Sequence, residues 1–198
     1  MQSTRTFIAI GLPKPKIEKL THLQSLLAPQ IPNVRWAEGV TLHLTLAFLG
    51  EVENADLNNV CKTVQRVVTA SSAFDLRLEK FGAFPDQTRA RTLWVGIGGG
   101  GLDTLLALQA DINQAVGDAG YPTGENSFHP HITIGRMQKG RQFACDVTPQ
   151  IQHFQTWTAG HFNVTEVTTY SSHLTREGPV YTPLSTASLP RRKNRQVP

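Results

Sequence analysis

The chain has 198 residues, enough for one mid-sized domain or two small lobes with a real core. Lys and Arg number 19 against 15 Asp and Glu, a net charge of +4, and four of those cations (Arg191, Arg192, Lys193 and Arg195) sit in the C-terminal tail. The rest of the chain is balanced, so the pI of 9.3 is a property of the tail and only weak evidence for a basic nucleic-acid-binding body.

Hydrophobic content of 39% and charged content of 17% describe a globular, soluble chain. No apolar run approaches the roughly 20 residues of a membrane span, and the N-terminus lacks a signal-peptide pattern. Cys61 and Cys145 are far apart and belong to no Cys/His cluster, which argues against a disulfide scaffold or a cysteine-built zinc site. A cytoplasmic protein with two semi-buried thiols is expected.

In chain order, a strand is expected over 5–12, with Phe7, Ile8 and Ile10 apolar. Pro13 and Pro15 suit a helix start. Ile17, Leu20, Leu23 and Leu27 form its stripe, and Pro29 ends it. The clearest strand is 42–49, with Leu42, Leu44, Leu46 and Phe48 on one face and His43, Thr45, Ala47 and Leu49 on the other. A helix follows, with Leu57, Val60, Cys61, Val64, Val67 and Val68 on one face and Asn54 as its cap. Strands are expected over 74–81 and 91–97. The run Gly98 to Gly101 lacks the lysine of a phosphate loop and reads as a turn into the helix of Leu105, Leu108, Ile112 and Val116. A short strand over 131–135 precedes strands over 153–158, 162–175 and 181–189. Residues 1–190 are expected to be one domain, with 191–198 a disordered basic tail.

The chemistry lies in His43-Leu44-Thr45-Leu46 and His131-Ile132-Thr133-Ile134, 88 positions apart. Residues i and i+2 of a strand share a face, so each motif sets an imidazole beside a hydroxyl. Two such strands brought together place two imidazoles and two hydroxyls around one cavity. Neutral imidazole takes a proton from a nucleophile and imidazolium gives one to a leaving group. Threonine hydroxyls donate to phosphoryl oxygens, and no metal is needed. With 7 His and 21 Thr, about 0.7 His-x-Thr matches arise by chance. The third match, His173-Leu174-Thr175, runs into Arg176-Glu177-Gly178 and reads as a strand end. The residues alone leave open a pair of strand histidines satisfied by their neighbours.

Trp36-Ala37 with 42–50, and Phe128-His129-Pro130-His131-Ile132-Thr133-Ile134-Gly135-Arg136, resemble the two signatures of the 2H phosphoesterase superfamily. Within it they are most similar to the bacterial RNA 2′,3′-cyclic phosphodiesterases, long called 2′-5′ RNA ligases. Residues 5–10, 91–96 and the stretch from Leu174 to Tyr181 extend the likeness over about residues 5–185. The resemblance implies an α+β, bilobal 2H phosphoesterase (LigT-like) fold. Two pseudo-symmetric lobes with antiparallel sheets would flank a central cleft, with helices outside.

The resemblance also implies hydrolysis of a terminal RNA 2′,3′-cyclic phosphate to a 2′-phosphate, and ATP-independent 2′-5′ ligation when an RNA 5′-hydroxyl replaces water. His43 would be the proton donor and His131 the proton acceptor. Thr45, Thr133 and Arg136 would hold the phosphate. No cofactor and no metal are implied. The partner would be RNA with a cyclic phosphate end, such as a tRNA fragment, and the protein a monomer away from membranes.

Other readings compete at particular residues. His129-Pro130-His131 has the spacing of two metal ligands, but Glu125 and Asp146 nearby lack ligand-like spacing. Arg89 and Arg91 read as a solvated basic loop. Trp36, Phe48 and Trp94 read as core rather than as stacking platforms. His22, His153 and His161 form no constellation. Turnover of a small cyclic phosphate of the ADP-ribose 1″,2″-cyclic type, or binding of RNA or a cyclic nucleotide without turnover, are the alternative functions.

Overall fold

The computed structural model describes residues 2–121, 123, 128–138, 144–175 and 178–191. The tail over 192–198, and Glu125, lie outside the described residues.

The chain opens with β1 (Ser3–Gly11), whose Phe7, Ile8, Ala9 and Ile10 are all buried. Pro13 and Pro15 bracket the start of α1 (Lys14–Leu27), as expected from their fixed φ and missing N–H. Leu20, Leu23 and Leu27 bury one face of it. A three-residue strand, β2 (Val34–Trp36), and a 3-10 turn over Gly39–Thr41 then lead into β3 (His43–Glu53). Neither short element carries enough periodicity to be read from sequence.

Next comes α2 (Leu57–Ala70), which buries Val60, Val64 and Val68 against the sheet. Asn54 does not cap it. Its side-chain oxygen accepts from the Thr4 hydroxyl at 2.7 Å, and Asp56 precedes the helix. Then β4 (Phe74–Phe84) and β5 (Thr92–Gly98) pair in antiparallel fashion. The glycine run turns the chain into α3 (Leu102–Asp118), and β6 (His131–Met137) carries the second motif.

Two expectations fail in the C-terminal third. Residues 153–158 are not a strand: α4 (Thr148–His153) ends there and a turn leads to β7 (Thr158–Val164). Pro149 sits in the first turn of α4, directly after a turn in which the Asp146 carboxylate accepts from the Thr148 N–H at 2.8 Å, and this local start carries a short helix through His153 ahead of the β-like composition. The stretch 162–175 is two strands, β7 and β8 (Glu166–Leu174), parted at Thr165. Finally, β9 (Pro179–Ser188) returns antiparallel to β8.

The strands form one antiparallel nine-stranded sheet in the order β7-β4-β5-β6-β3-β1-β8-β9, with β2 paired to β6. The two expected sheets are its two halves. They join where β3 meets β6 through the pair Leu44 and Ile132. In a flat sheet β7 and β8 would lie six strand spacings apart, about 29 Å. Only Thr165 links them, so the sheet must curl back on itself. The Leu189 N–H closes this seam by donating to the Thr165 carbonyl at 2.8 Å.

The halves repeat one unit. Strand, helix and motif strand run β1-α1-β3 in the first and β5-α3-β6 in the second. The helices are exchanged: α3 packs on β3, and α1 reaches across to β7 and, through Gln24, to β6. The α2 helix packs on β8, β9 and α3, and α4 on β4. The core is continuous across both halves. Among the described residues no helix is long and apolar enough to cross a membrane.

Candidate active site

The site begins at the contact between Leu44 and Ile132. These two residues are Cα partners in the antiparallel β3–β6 pair, and both are fully buried. Neighbours of a buried strand residue face the other way. His43 and Thr45 therefore flank Leu44 on the open face, and His131 and Thr133 flank Ile132 on the same face. An antiparallel pair has a local two-fold axis between its partners. Here that axis relates His43 to His131 and Thr45 to Thr133, leaving the imidazoles on one diagonal and the hydroxyls on the other. All four side chains line one cleft of about 500 Å³.

Each motif strand carries a β-bulge just after its threonine. On β3, Ala9 pairs with Thr45 and Ile8 with Ala47, so Leu46 is the inserted residue. On β6, Trp94 pairs with Thr133 and Leu93 with Gly135, so Ile134 is inserted. An extra residue reverses the inside–outside alternation beyond it. Phe48 and Arg136 therefore turn onto the histidine face. Phe48 is 63% exposed and lines the cleft, contrary to the core role expected from strict alternation.

The imidazoles have different surroundings. His43 lies against the Phe7 ring, centroids 5.1 Å apart, and meets Tyr181 edge-on at 5.4 Å. His131 meets Phe84 edge-on at 5.0 Å, with Trp94 at 6.3 Å. Its Nδ1 lies 2.6 Å from the His129 carbonyl oxygen. A carbonyl only accepts, so Nδ1 carries a proton there, and in the neutral ring the lone pair is left on Nε2. Burial pushes the His131 pKa below the ordinary histidine value, opposed by the bond to the His129 carbonyl. The charges of Arg136 and His129 push it further down. Burial pushes the Tyr181 phenol up, with Arg136 and Arg5 pulling the other way.

Arg136 is held by a bond from Nη1 to the Thr92 hydroxyl at 3.1 Å. Arg35 stands opposite it in the β2–β6 register, and both line the cleft. Two glycines let these groups approach. A Cβ on Gly135 would lie 2.6 Å from Val34 Cγ1 and 3.0 Å from Trp36 Cε3, so only glycine lets Trp36 lie over β6. A Cβ on Gly178 would strike the Arg35 guanidinium, and Gly178 adopts φ +143°.

The sequence-level site residues His43, Thr45, His131, Thr133 and Arg136 thus share one cleft. Trp36 packs half-buried against the core, as expected, and also lines the cleft, whereas half-buried Trp94 sits behind His131. Arg35, Glu38 and Thr41 line the cleft too and were not singled out from sequence. They belong to the connection between α1 and β3, where no periodic pattern marks a face. Arg89 and Arg91 are exposed and do not line the cleft. His173 is also exposed and outside it, while Thr175 donates to the Gly178 carbonyl at 2.8 Å and closes the β8–β9 turn. His22, His153 and His161 are exposed elsewhere. Cys61 and Cys145 are free thiols. Among the described residues no three His, Cys, Asp or Glu side chains are grouped to hold a metal ion.

This geometry coincides with the relationships of the chain. An RNA 2′,3′-cyclic phosphodiesterase of Aquifex aeolicus is 31% identical over 150 residues, 75% of this chain and 78% of its own length. One from Methanothermobacter thermautotrophicus is 28% identical over 178 residues, 90% of this chain and 95% of its own. The apo crystal structure of E. coli LigT superposes with a TM-score of 0.74 at 26% identity, covering 96% of this chain and all of that one. The sequence model of the 2′-5′ RNA ligase superfamily matches residues 12–176, a span holding both motif strands, and the chain belongs to that superfamily.

Proposed function

We propose that this chain is an RNA 2′,3′-cyclic phosphodiesterase working by two-histidine general acid–base catalysis. The observation that carries the reading is the local two-fold at Leu44 and Ile132, which turns two imidazoles and two threonine hydroxyls into one cleft. The names of the curated relatives support the same reaction.

The substrate is an RNA end whose phosphorus bridges the ribose 2′ and 3′ oxygens. His131 is the base. Its lowered pKa keeps it neutral at pH 7, and its Nε2 lone pair accepts the proton of an attacking water. The water oxygen bonds to phosphorus, the P–O3′ bond breaks, and His43 delivers its proton to the departing 3′ oxygen. The products are a 2′-phosphate and a free 3′-hydroxyl. Thr45 and Thr133 donate to the non-bridging oxygens, and Arg136 opposes the charge that gathers on them. With an RNA 5′-hydroxyl in place of water, the same proton transfers form a 2′-5′ linkage without ATP. On reversal the acid and base exchange roles.

Residues 1–190 act as one bilobal unit in this reading, a cytoplasmic monomer, and the basic residues of 191–198 add salt-dependent attraction to RNA. The deciding experiment follows a cyclic-phosphate-ended oligonucleotide in EDTA with the wild type, His43→Ala and His131→Ala. A 2′-phosphate product, lost in both variants, is expected. Turnover that needs added metal would move the chemistry to His129 and His131 as ligands. Turnover only of a small cyclic phosphate would overturn RNA as the substrate.

A further inference from the structure

Among the described residues only two glutamines are buried, Gln24 and Gln109, 6% and 9% exposed. They belong to different helices and to different halves of the fold, yet both aim an amide at the same feature. Gln109 Nε2 donates to the Leu46 carbonyl at 3.2 Å. Gln24 Nε2 donates to the Ile134 carbonyl at 2.8 Å and to the Ala37 carbonyl at 2.8 Å. Leu46 and Ile134 are the inserted residues of the two bulges, each directly after a motif threonine.

A bulge interrupts the ladder and needs something to hold it, because a one-residue slip reverses every side chain beyond it. The two glutamines meet that need in the same way, and they do so across the molecule. Gln109 comes from α3, between β5 and β6, and bonds β3. Gln24 comes from α1, between β1 and β3, and bonds β6. A buried amide is costly unless bonded, and packing alone is served as well by Leu or Met. Gln24 does one thing more. Its second bond ties down Ala37, between the cleft residues Trp36 and Glu38, and the Ala37 N–H returns a bond to the Ile134 carbonyl at 2.9 Å.

We propose that Gln24 and Gln109 are a matched pair of positioning residues. Each holds, from the opposite half, the bulge that fixes a motif threonine and the next cleft residue (Arg136 or Phe48) relative to the catalytic histidine of that strand. Neither glutamine touches substrate. The kinetic part of the inference rests on the phosphodiesterase reading, and the geometric part does not.

The test compares Gln109→Met and Gln24→Met, which keep side-chain length and remove the donor, well below their unfolding temperatures. Each is expected to lower kcat about tenfold, the scale of a small misplacement of reacting groups. Gln109→Met combined with Thr45→Ala should cost less than the two separate losses multiplied, because both act on one strand. Combined with Thr133→Ala the losses should multiply, and the pattern should reverse for Gln24→Met. The histidine Hε1 NMR resonances give a readout without turnover. Gln109→Met should move His43 and spare His131, and Gln24→Met the converse.

A lowered Tm with unchanged kcat and unmoved resonances would overturn the proposal, leaving the glutamines as packing. So would both resonances moving together in each variant. If the wild type shows no turnover, the phosphodiesterase reading fails while the resonance pattern still decides the pair. If a Met variant does not fold, Gln→Asn at the same position keeps the amide but shortens its reach, and the same resonance pattern decides.

Discussion

Phe48 and Arg136 occupy equivalent positions in the two halves of the cleft. Each lies three residues beyond its motif threonine, and each is turned onto the histidine face by the bulge at Leu46 or Ile134. One half thus offers an aromatic face on the strand of His43 and the other a guanidinium on the strand of His131. A pseudo-symmetric frame has been made chemically unsymmetric at this position. A nucleotide end is itself unsymmetric, with a flat base on one side and phosphate charge on the other.

Phe48 follows directly from this. An exposed ring contributes little to folding, so Phe48→Ala should change stability by less than about 0.5 kcal/mol. Loss of a stacking face costs about 1–3 kcal/mol per base. KM for a cyclic-phosphate-ended oligonucleotide should therefore rise about fivefold or more, with kcat little changed. Denaturation and steady-state kinetics on one preparation check both halves. A large stability loss with normal KM would return Phe48 to the core.

The proposed acid and base are the sharper case. His43→Ala and His131→Ala should each lower kcat by at least about 10²-fold, the usual contribution of a positioned acid or base. Thr45→Ala and Thr133→Ala should cost less, because each removes one hydrogen bond. A folded histidine variant with near-normal turnover would remove that residue from the mechanism.

Much of this site was legible in the sequence because its chemistry is local to two strands. His-x-Thr at period 2, flanked by Leu44 and Ile132, says which face opens and which is buried. What stayed hidden depends on pairing. A bulge at Leu46 is a relationship with Ile8 and Ala9 some 37 residues earlier, so strict alternation sends Phe48 to the core. The equivalence with Arg136, 88 positions on, was the available signal. The break at Thr165 was hidden for a similar reason: β7 and β8 read as one continuous strand-forming run but belong to opposite halves of the sheet. Arg35 and Glu38 reach the cleft from a connection whose position is set by β6, through Gly135 and Gln24.

The junction of the halves should be costly to weaken. Leu44 is fully buried and is the β3 residue paired with β6. Leu44→Ala removes three buried carbons and leaves a cavity, a loss of about 2–5 kcal/mol. Leu26→Ala, on an exposed face of α1, is the control, with little change expected. Chemical denaturation of the two variants gives the comparison. Equal midpoints would mean that the halves do not depend on this contact.

The pH dependence of kcat/KM carries a definite sign. A base must be unprotonated, so activity falls as pH drops through the folded pKa of His131. Burial is the first cause of that lowered value, and the positive charge of Arg136 adds to it. The acidic limb for the wild type should therefore lie below pH 6.5, the ordinary histidine value. Arg136→Gln removes one of the lowering influences and leaves burial in place. Its limb should move upward while remaining below that of an exposed imidazole, alongside a higher KM from loss of the proposed phosphate contact. A pH–rate profile of both proteins over the acidic range measures the limbs. A wild-type limb above 6.5, or a limb that moves down in Arg136→Gln, would assign the titration to a group other than His131.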